Sequence, residues 1–204
     1  MKTLQLIEFC IGRLLYRLRG YDAQLFCNSP AFAQHPRPTI FITSPCCGET
    51  GAKLKHAYSK FGGGRFPCVE WKKPGANVKE YLMLAEDPDA PTRKPNVHGI
   101  YCSIPPHVTL IMHEELEVVA KVDGAKQIRA GYRVGKNRRD MVYIAPRPPL
   151  GHGPHRYTFQ LVALDHRLDA GSLSEIPTKK EVEDAVIGRV VAWGMWQATY
   201  ETEW

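Results

Sequence analysis

The sequence predicts a β-rich domain, all-β with peripheral helices, and three observations carry that expectation. Seventeen glycines and 16 prolines among 204 residues exceed the roughly 12% that average composition gives the pair, as a chain with many tight turns requires. Between those turn residues lie short runs rich in β-branched and aromatic side chains, "TIFIT", "VKEYLMLAED", "VHGIYCSIP" and "RYTFQLVAL", each of strand length. Helical periodicity is confined to the two ends of the chain. Residues 1–204 are read as a single domain, with 1–38 an N-terminal helix and lead-in and 39–204 the core, long enough to bury that core without disulfides.

The first 20 residues, "MKTLQLIEFCIGRLLYRLRG", place Leu4, Ile7, Ile11, Leu14, Leu15 and Leu18 on a helical stripe. Glu8 and Arg13 interrupt the run too early for a signal-peptide core or a membrane span. The helix is therefore expected to pack on the domain, although its arginines would also suit a membrane surface. After the proline-rich lead-in 30–39, "TIFIT" (39–43) reads as a strand and "SPCCGETGAK" as a loop. "PCVEW" (67–71), "VKEYLMLAED" (78–87) and "VHGIYCSIP" (97–105) follow as strands, the second apolar enough to be buried on both faces. Residues 113–140 are weakly patterned and read as an insertion with a short strand or helical turn. "MVYIA" (141–145) and "RYTFQLVAL" (156–164) flank the loop "PRPPLGHGPH". Thr178 and Glu181 form a capping box for a helix carrying Val182, Ala185, Val186 and Val190 and stopped by Gly194; "MWQATYETE" (195–203) alternates as a final strand. The total is two helices and about eight strands.

The net charge is +6 and uneven. Arg129, Arg133, Lys136, Arg138 and Arg139 crowd into "RAGYRVGKNRR", the pattern of a solvated loop or strand face. No stacking aromatics are interleaved with these cations in a nucleic-acid module, so nucleic acid is excluded as a partner, while a general preference for anionic ligands stands. The six cysteines show neither C-x-x-C nor Cys/His zinc spacing. Cys46 and Cys47 are neighbours, and the expected state is reduced thiols in a cytoplasmic protein, with no metal and no cofactor.

Two stretches carry chemistry. In "AEDPDAP" (85–91) a strand ends on Asp87 and Asp89, with Pro88 and Pro91 holding the preceding residues extended, so the turn is rigid. Taken alone it makes an Asx-type turn with surface carboxylates. In "RPPLGHGPHRY" (147–157) Pro148 and Pro149 stiffen the entry to a glycine-containing loop, and His155 and Tyr157, two apart at a strand start, share one side. His98 opens the strand between these stretches.

In this order, "DPDAP", the strand-opening histidine and "PP-x-G-x-G-x-HRY" resemble the phosphatidylethanolamine-binding protein family, from about Thr39 to Tyr200. "RGYDAQLF", "VGKNRRD" and "HGPHRY" resemble its fungal branch. The resemblance implies a central antiparallel sheet with a second small sheet on one face and helices, N- and C-terminal, on the other. It also implies a pocket that accepts phosphate, acetate or phosphorylated headgroups, lined by Asp87, Asp89, His98, Pro148, His155 and Tyr157, each aspartate meeting an imidazole. Arg147 joins that ligand-binding set as a departure: the family has a glycine-containing segment before the double proline, where this chain has "APRPP". Arg147 either supplies a two-pronged clamp for carboxylate or phosphate or closes the pocket. The implied function is binding of a small anion, carboxylate or phosphate. The alternative is an enzyme or accessory of fungal secondary-metabolite biosynthesis, with a biosynthetic enzyme as partner. It would assist cyclisation or dimerisation of polyketides bearing carboxylate or anhydride groups through Asp87, His98 and His155. No nucleophile elbow for a hydrolase triad is present.

Overall fold

A computed structural model of the chain describes residues 3–75, 77–168 and 171–203. Its strands are β1 (Ile42–Thr43), β2 (Ala52–Lys53), β3 (Val69–Trp71), β4 (Glu80–Asp87), β5 (Asn96–Ile104), β6 (Leu110–Ile111), β7 (Val118–Val122), β8 (Ala125–Ile128), β9 (Arg133–Val134), β10 (His155–Leu164) and β11 (Val190–Tyr200). Helix α1 (Thr3–Leu15) precedes them, and α2 (Lys179–Ala185) lies between β10 and β11. Eight strands form one sheet in the order β2-β11-β10-β4-β5-β9-β8-β7, antiparallel except where β2 meets β11. A second sheet of three strands has the order β1-β3-β6.

Strand β4 explains the layering. All eight of its residues are buried, and alternation sends successive side chains to opposite faces. Tyr81, Met83 and Ala85 join Ile42, Val69, Trp71, Phe159 and Trp196 in the core between the two sheets. Leu82 and Leu84 join Phe26, Phe32, Val182, Val186 and Trp193 under the 3-10 turns of the lead-in and under α2. The result is small sheet, large sheet and helical layer, as the resemblance implied.

Several boundaries differ from the sequence reading. Residues 113–140 are no insertion: they contribute β7, β8 and β9 to the main sheet. Their pattern is weak because every residue of β7 is exposed, so no alternation of burial exists to be read. "MVYIA" forms no strand; the Tyr101 hydroxyl donates to the Val142 carbonyl, and the Ile144 N–H meets the His98 carbonyl as a single bond. "TIFIT" is a strand only at Ile42–Thr43, since the Thr39 and Ile40 N–H groups both donate to the Trp193 carbonyl. The capping box at Thr178 and Glu181 is present, but α2 ends at Ala185, and Val190 and Gly194 belong to β11. Cys46 and Cys68 form a disulfide instead of remaining reduced. The pairing of Thr43 with Glu70 and the tight turn between Ser44 and Gly48 bring the two cysteines together.

Helix α1 stands apart from the helical layer and docks on the loop that leads into β10. Its only buried residue is Gly12, where a Cβ would fall 2.1 Å from the Leu150 carbonyl oxygen. Glu8 takes the Leu150 N–H, and the Leu15 carbonyl faces His152. Contrary to expectation, the apolar stripe does not pack down: Leu4 is 79% exposed, Leu14 83%, and Ile7 and Ile11 are exposed with them. The backbones approach so closely that the glycine edge must face inward, and this turns the stripe outward.

Gly194 has a different role from the helix stop assigned to it. The lead-in crosses β11 there, and a Cβ would lie 2.1 Å from the Ile40 carbonyl oxygen. Gly194→Ala is expected to destabilise the protein by about 1–3 kcal/mol through overpacking. Urea denaturation measures this; an unchanged midpoint would show that the Ile40 segment gives way freely.

Candidate functional site

Strand order places the chemistry. Antiparallel pairing of β4 with both β10 and β5 brings the last residue of β4 beside the first residues of its two neighbours. Asp87, Asn96, His98, His155 and Tyr157 therefore meet at one end of the main sheet. They line a cavity of about 410 Å³ whose mouth carries Lys60, Arg138, Arg139 and Arg147 and whose wall includes Ala90, Pro91, Met141 and Pro149.

The floor is a chain of hydrogen bonds that fixes where protons sit. His152 faces the Leu15 carbonyl through Nε2 at 2.9 Å; a carbonyl only accepts, so Nε2 carries the hydrogen and the neutral ring's Nδ1 is an acceptor. His155 Nε2 lies 2.7 Å from that Nδ1 and must donate to it. The other His155 nitrogen, Nδ1, is 2.8 Å from Asp87 Oδ2. A neutral ring donating through Nε2 would point a lone pair from Nδ1 at the carboxylate, so one further proton lies in this bond. The pair is imidazolium with carboxylate, or imidazole with carboxylic acid; either form can give up one proton and take it back. Asp87 Oδ1 is held by the Asp89 N–H at 2.8 Å, so its carboxyl group cannot rotate away.

His98 is built for a different purpose. Its Nδ1 donates to the Ile144 carbonyl, which leaves Nε2 to accept from the Asn96 side-chain amide at 2.9 Å. Both nitrogens are spent in the neutral ring. Burial lowers its pKa, outweighing the upward pull of Asp87 4.0 Å away, so His98 is a fixed neutral wall rather than a base. Tyr157 is buried, and that burial together with the negative charge of Asp87 pushes its pKa well above the ordinary phenol range. The Arg147 backbone N–H pulls weakly the other way, and the phenol keeps its proton.

Two predicted residues lie elsewhere. Asp89 is buried but does not line the cavity. Arg156 donates to it from Nε at 2.9 Å and Nη2 at 2.8 Å, its own N–H donates at 2.9 Å, and the Gly20 N–H adds a fourth contact at 3.2 Å. Burial opposes ionisation of Asp89, yet these donors hold its pKa below the usual carboxylate range. Its partner is thus a guanidinium, not an imidazole, because Arg156 points to the opposite side from His155 and Tyr157. Pro148 is also off the cavity, its carbonyl taken by the Thr202 hydroxyl at 2.7 Å; Pro149 lines the wall instead. Arg147 reaches the rim, but Glu8 engages its guanidinium at 3.2 Å and Phe61 lies beneath it. The reading of the sequence missed Asn96, which alternation from His98 could have supplied, and His152, which stands in the quoted "GHGPH". Arg138 and Arg139 were missed because a basic run in isolation reads as a solvated face, and Lys60 because a lone lysine before a glycine turn carries no signal. Among the described residues no three His, Cys, Asp or Glu side chains converge as a metal site, and no helix is long and apolar enough to cross a membrane.

With this geometry in view, comparison with known proteins is specific. The profile of the family described as "Phosphatidylethanolamine-binding protein" matches residues 47–201. A protein from a fungal species (strain ATCC 74256) called "Phomoidride biosynthesis cluster protein B" is 61% identical over 201 residues, covering 98% of this chain and 97% of its own. A protein of the same name from Talaromyces stipitatus is 53% identical over 202 residues, covering 98% and 83%. Among solved structures, Escherichia coli YbcL, described as a member of the mammalian PEBP family, superposes with a TM-score of 0.66 at 22% identity, over 80% of this chain and 99% of its own. A putative homologue from Chlamydia trachomatis gives 0.65 at 24% identity, over 82% and 100%.

The neutral state of His98 has a measurable consequence. Its folded pKa lies below the value of about 6.5 for an unfolded chain, so at acid pH the unfolded state binds the extra proton. The stability this histidine contributes is complete above about pH 6.5 and falls as pH drops towards the folded pKa. His152, lowered by burial and then by the His155 charge, has the same sign. Urea midpoints measured from pH 7.5 to 5 should decline less steeply in His98→Gln than in the parent protein. Identical slopes would mean that His98 titrates as it does in the unfolded chain.

Proposed function

The chain belongs to the phosphatidylethanolamine-binding protein family, and from that premise we propose that it holds a small organic carboxylate in this cavity and assists its conversion in fungal secondary-metabolite biosynthesis by acid–base chemistry. The single observation behind this reading is the 2.8 Å contact between Asp87 and His155 at the floor of a cavity large enough for an organic ligand. A carboxylate or an anhydride carbonyl lying over that floor would meet the Tyr157 hydroxyl as a hydrogen-bond donor and the Asp87–His155 pair as proton donor or acceptor. His152 would act through His155, holding the tautomer that leaves the shared proton facing Asp87. The relatives that cover nearly the whole chain carry the name of a biosynthesis cluster, which supports this context over a lipid carrier. Phosphatidylethanolamine itself fits the charge poorly, since its ammonium would meet Lys60, Arg138 and Arg139 at the mouth.

General acid–base groups contribute on the order of 10²-fold or more to a rate. Replacing the gene by an Asp87→Asn version in the producing organism should therefore lower the final metabolite's titre at least tenfold, while the purified variant still folds and still binds acetate. An unchanged titre would reduce the pocket to a binding role.

A further inference from the structure

The turn after β9 carries two arginines that form no ion pair among the described residues. Arg138 and Arg139 line the cavity with Lys60, and among the described residues none of the three has an ion-pair partner. The nearest acid in sequence, Asp140, is committed to Lys126 instead. Exposed arginines are common, but these stand on a built turn. Asn137, buried beneath them, accepts the N–H groups of Arg139 at 3.1 Å and Met141 at 3.2 Å. Its amide donates to the Met141 carbonyl at 2.6 Å and to the His98 carbonyl at 3.4 Å. Asp140 completes the turn in the left-handed region, with φ of 49°. The arginines are thereby fixed to the strand that carries His98.

The field of Arg138 reaches the floor. Its charge is felt by Asp87, Tyr157 and His98, and partial burial together with repulsion from Arg139 lowers its pKa. A cation held in that position without a counter-ion favours an incoming anion. Arg147, by contrast, is engaged by Glu8 and stacked on Phe61, so it ties α1 to the rim and has little left to offer a ligand.

We infer that Arg138, Arg139 and Lys60 form the anion clamp of the cavity and that the ligand is an organic dicarboxylate. One carboxylate lies at Arg138 over the Asp87–His155 floor, and the other is held by Arg139 and Lys60. The hydrocarbon between them rests on Ala90, Pro91 and Met141. Inorganic phosphate would leave that apolar wall and most of the volume uncovered. This inference rests on the proposed carboxylate reading and specifies its substrate class.

Titration calorimetry on the full chain at pH 7 and constant ionic strength, with succinate, butyrate and inorganic phosphate as probes, tests it. Succinate should bind about tenfold more tightly than butyrate and more tightly than phosphate. The double variant Arg138→Ala/Arg139→Ala should lose that preference, binding the two carbon acids alike. Arg147→Ala should keep it, and Asn137→Ala, which removes no charge, should weaken it by releasing the turn. Thermal unfolding of each variant establishes that it is folded. A preference for succinate that survives in the double variant, disappears in Arg147→Ala, or is never present overturns the clamp. The outcomes separate from the acid–base reading: a succinate preference with full metabolite titre in Asp87→Asn leaves the clamp standing and removes the chemistry. Loss of titre without any succinate preference does the reverse.

Discussion

Asp87 shares a hydrogen bond with His155 at 2.8 Å and accepts another from the Asp89 N–H at the same distance, inside a protein that leaves it 3% exposed. A carboxylate so placed must have donors or carry a proton, and the end of the main sheet is organised around meeting that need. β10 must start beside the end of β4, His155 must be its first residue, and the loop before it must bring His152 into line. Gly151 and Gly153 adopt positive φ in that loop, and a Cβ at Gly151 would fall 2.6 Å from the Phe9 ring. The proton geometry at Asp87 and the docking of α1 are therefore one arrangement, joined at the Leu15 carbonyl.

The two aspartates of "DPDAP" show how two positions separate a carboxylate paired with an imidazole from one paired with a permanent cation. Asp89 meets Arg156, which also grips Asp22 through both terminal nitrogens at 2.7 and 2.9 Å. That carboxylate is neutralised by a permanent cation and ties the lead-in to β10. Asp87 meets an imidazole, whose charge can come and go. Side-chain alternation along "HRY" makes the difference, sending His155 and Tyr157 to the cavity and Arg156 to the opposite side. The same division recurs among the arginines: Arg147 is tied to Glu8, while among the described residues Arg138 and Arg139 form no ion pair.

Much of this was legible in the sequence, and the rest failed for identifiable reasons. Strands buried on both faces, such as β4 and β10, are continuous apolar runs and were placed within a residue or two. β7 has solvent on every residue, and β2 and β6 are two residues each, so neither pattern nor length marks them. The cavity-lining residues Asp87, His98, His155 and Tyr157 followed from rigid motifs and the family they resemble. His152 and Asn96 were harder, since their roles are defined by what His155 and His98 do with their second nitrogens. The basic run gave no sign of pointing inward, because the feature that orients it is the reach of Asn137 to the His98 carbonyl, 39 residues away. The α1 stripe misled because amphipathicity reports that a helix has two faces, whereas here a glycine edge chose which one is covered.

Strand β4 also carries Glu80 and Glu86 among its buried residues, and their partners are distant. Glu80 accepts the Leu168 N–H, 88 residues on; Glu86 takes Gln160 and Lys179, the latter 93 residues on. Asp87 waits for His155, 68 residues on. During synthesis this strand leaves the ribosome before these groups exist, and until they do Glu80 has only the Ser103 N–H and Glu86 only the Phe26 N–H as partners. At about 5–20 residues per second, that delay lasts several seconds. The centre of the sheet can assemble only once nearly the whole chain is available, which makes folding of this protein a late, long-range event with a high contact order. The negative charge that delays β4 also keeps its apolar run from pairing with other nascent chains in the interval.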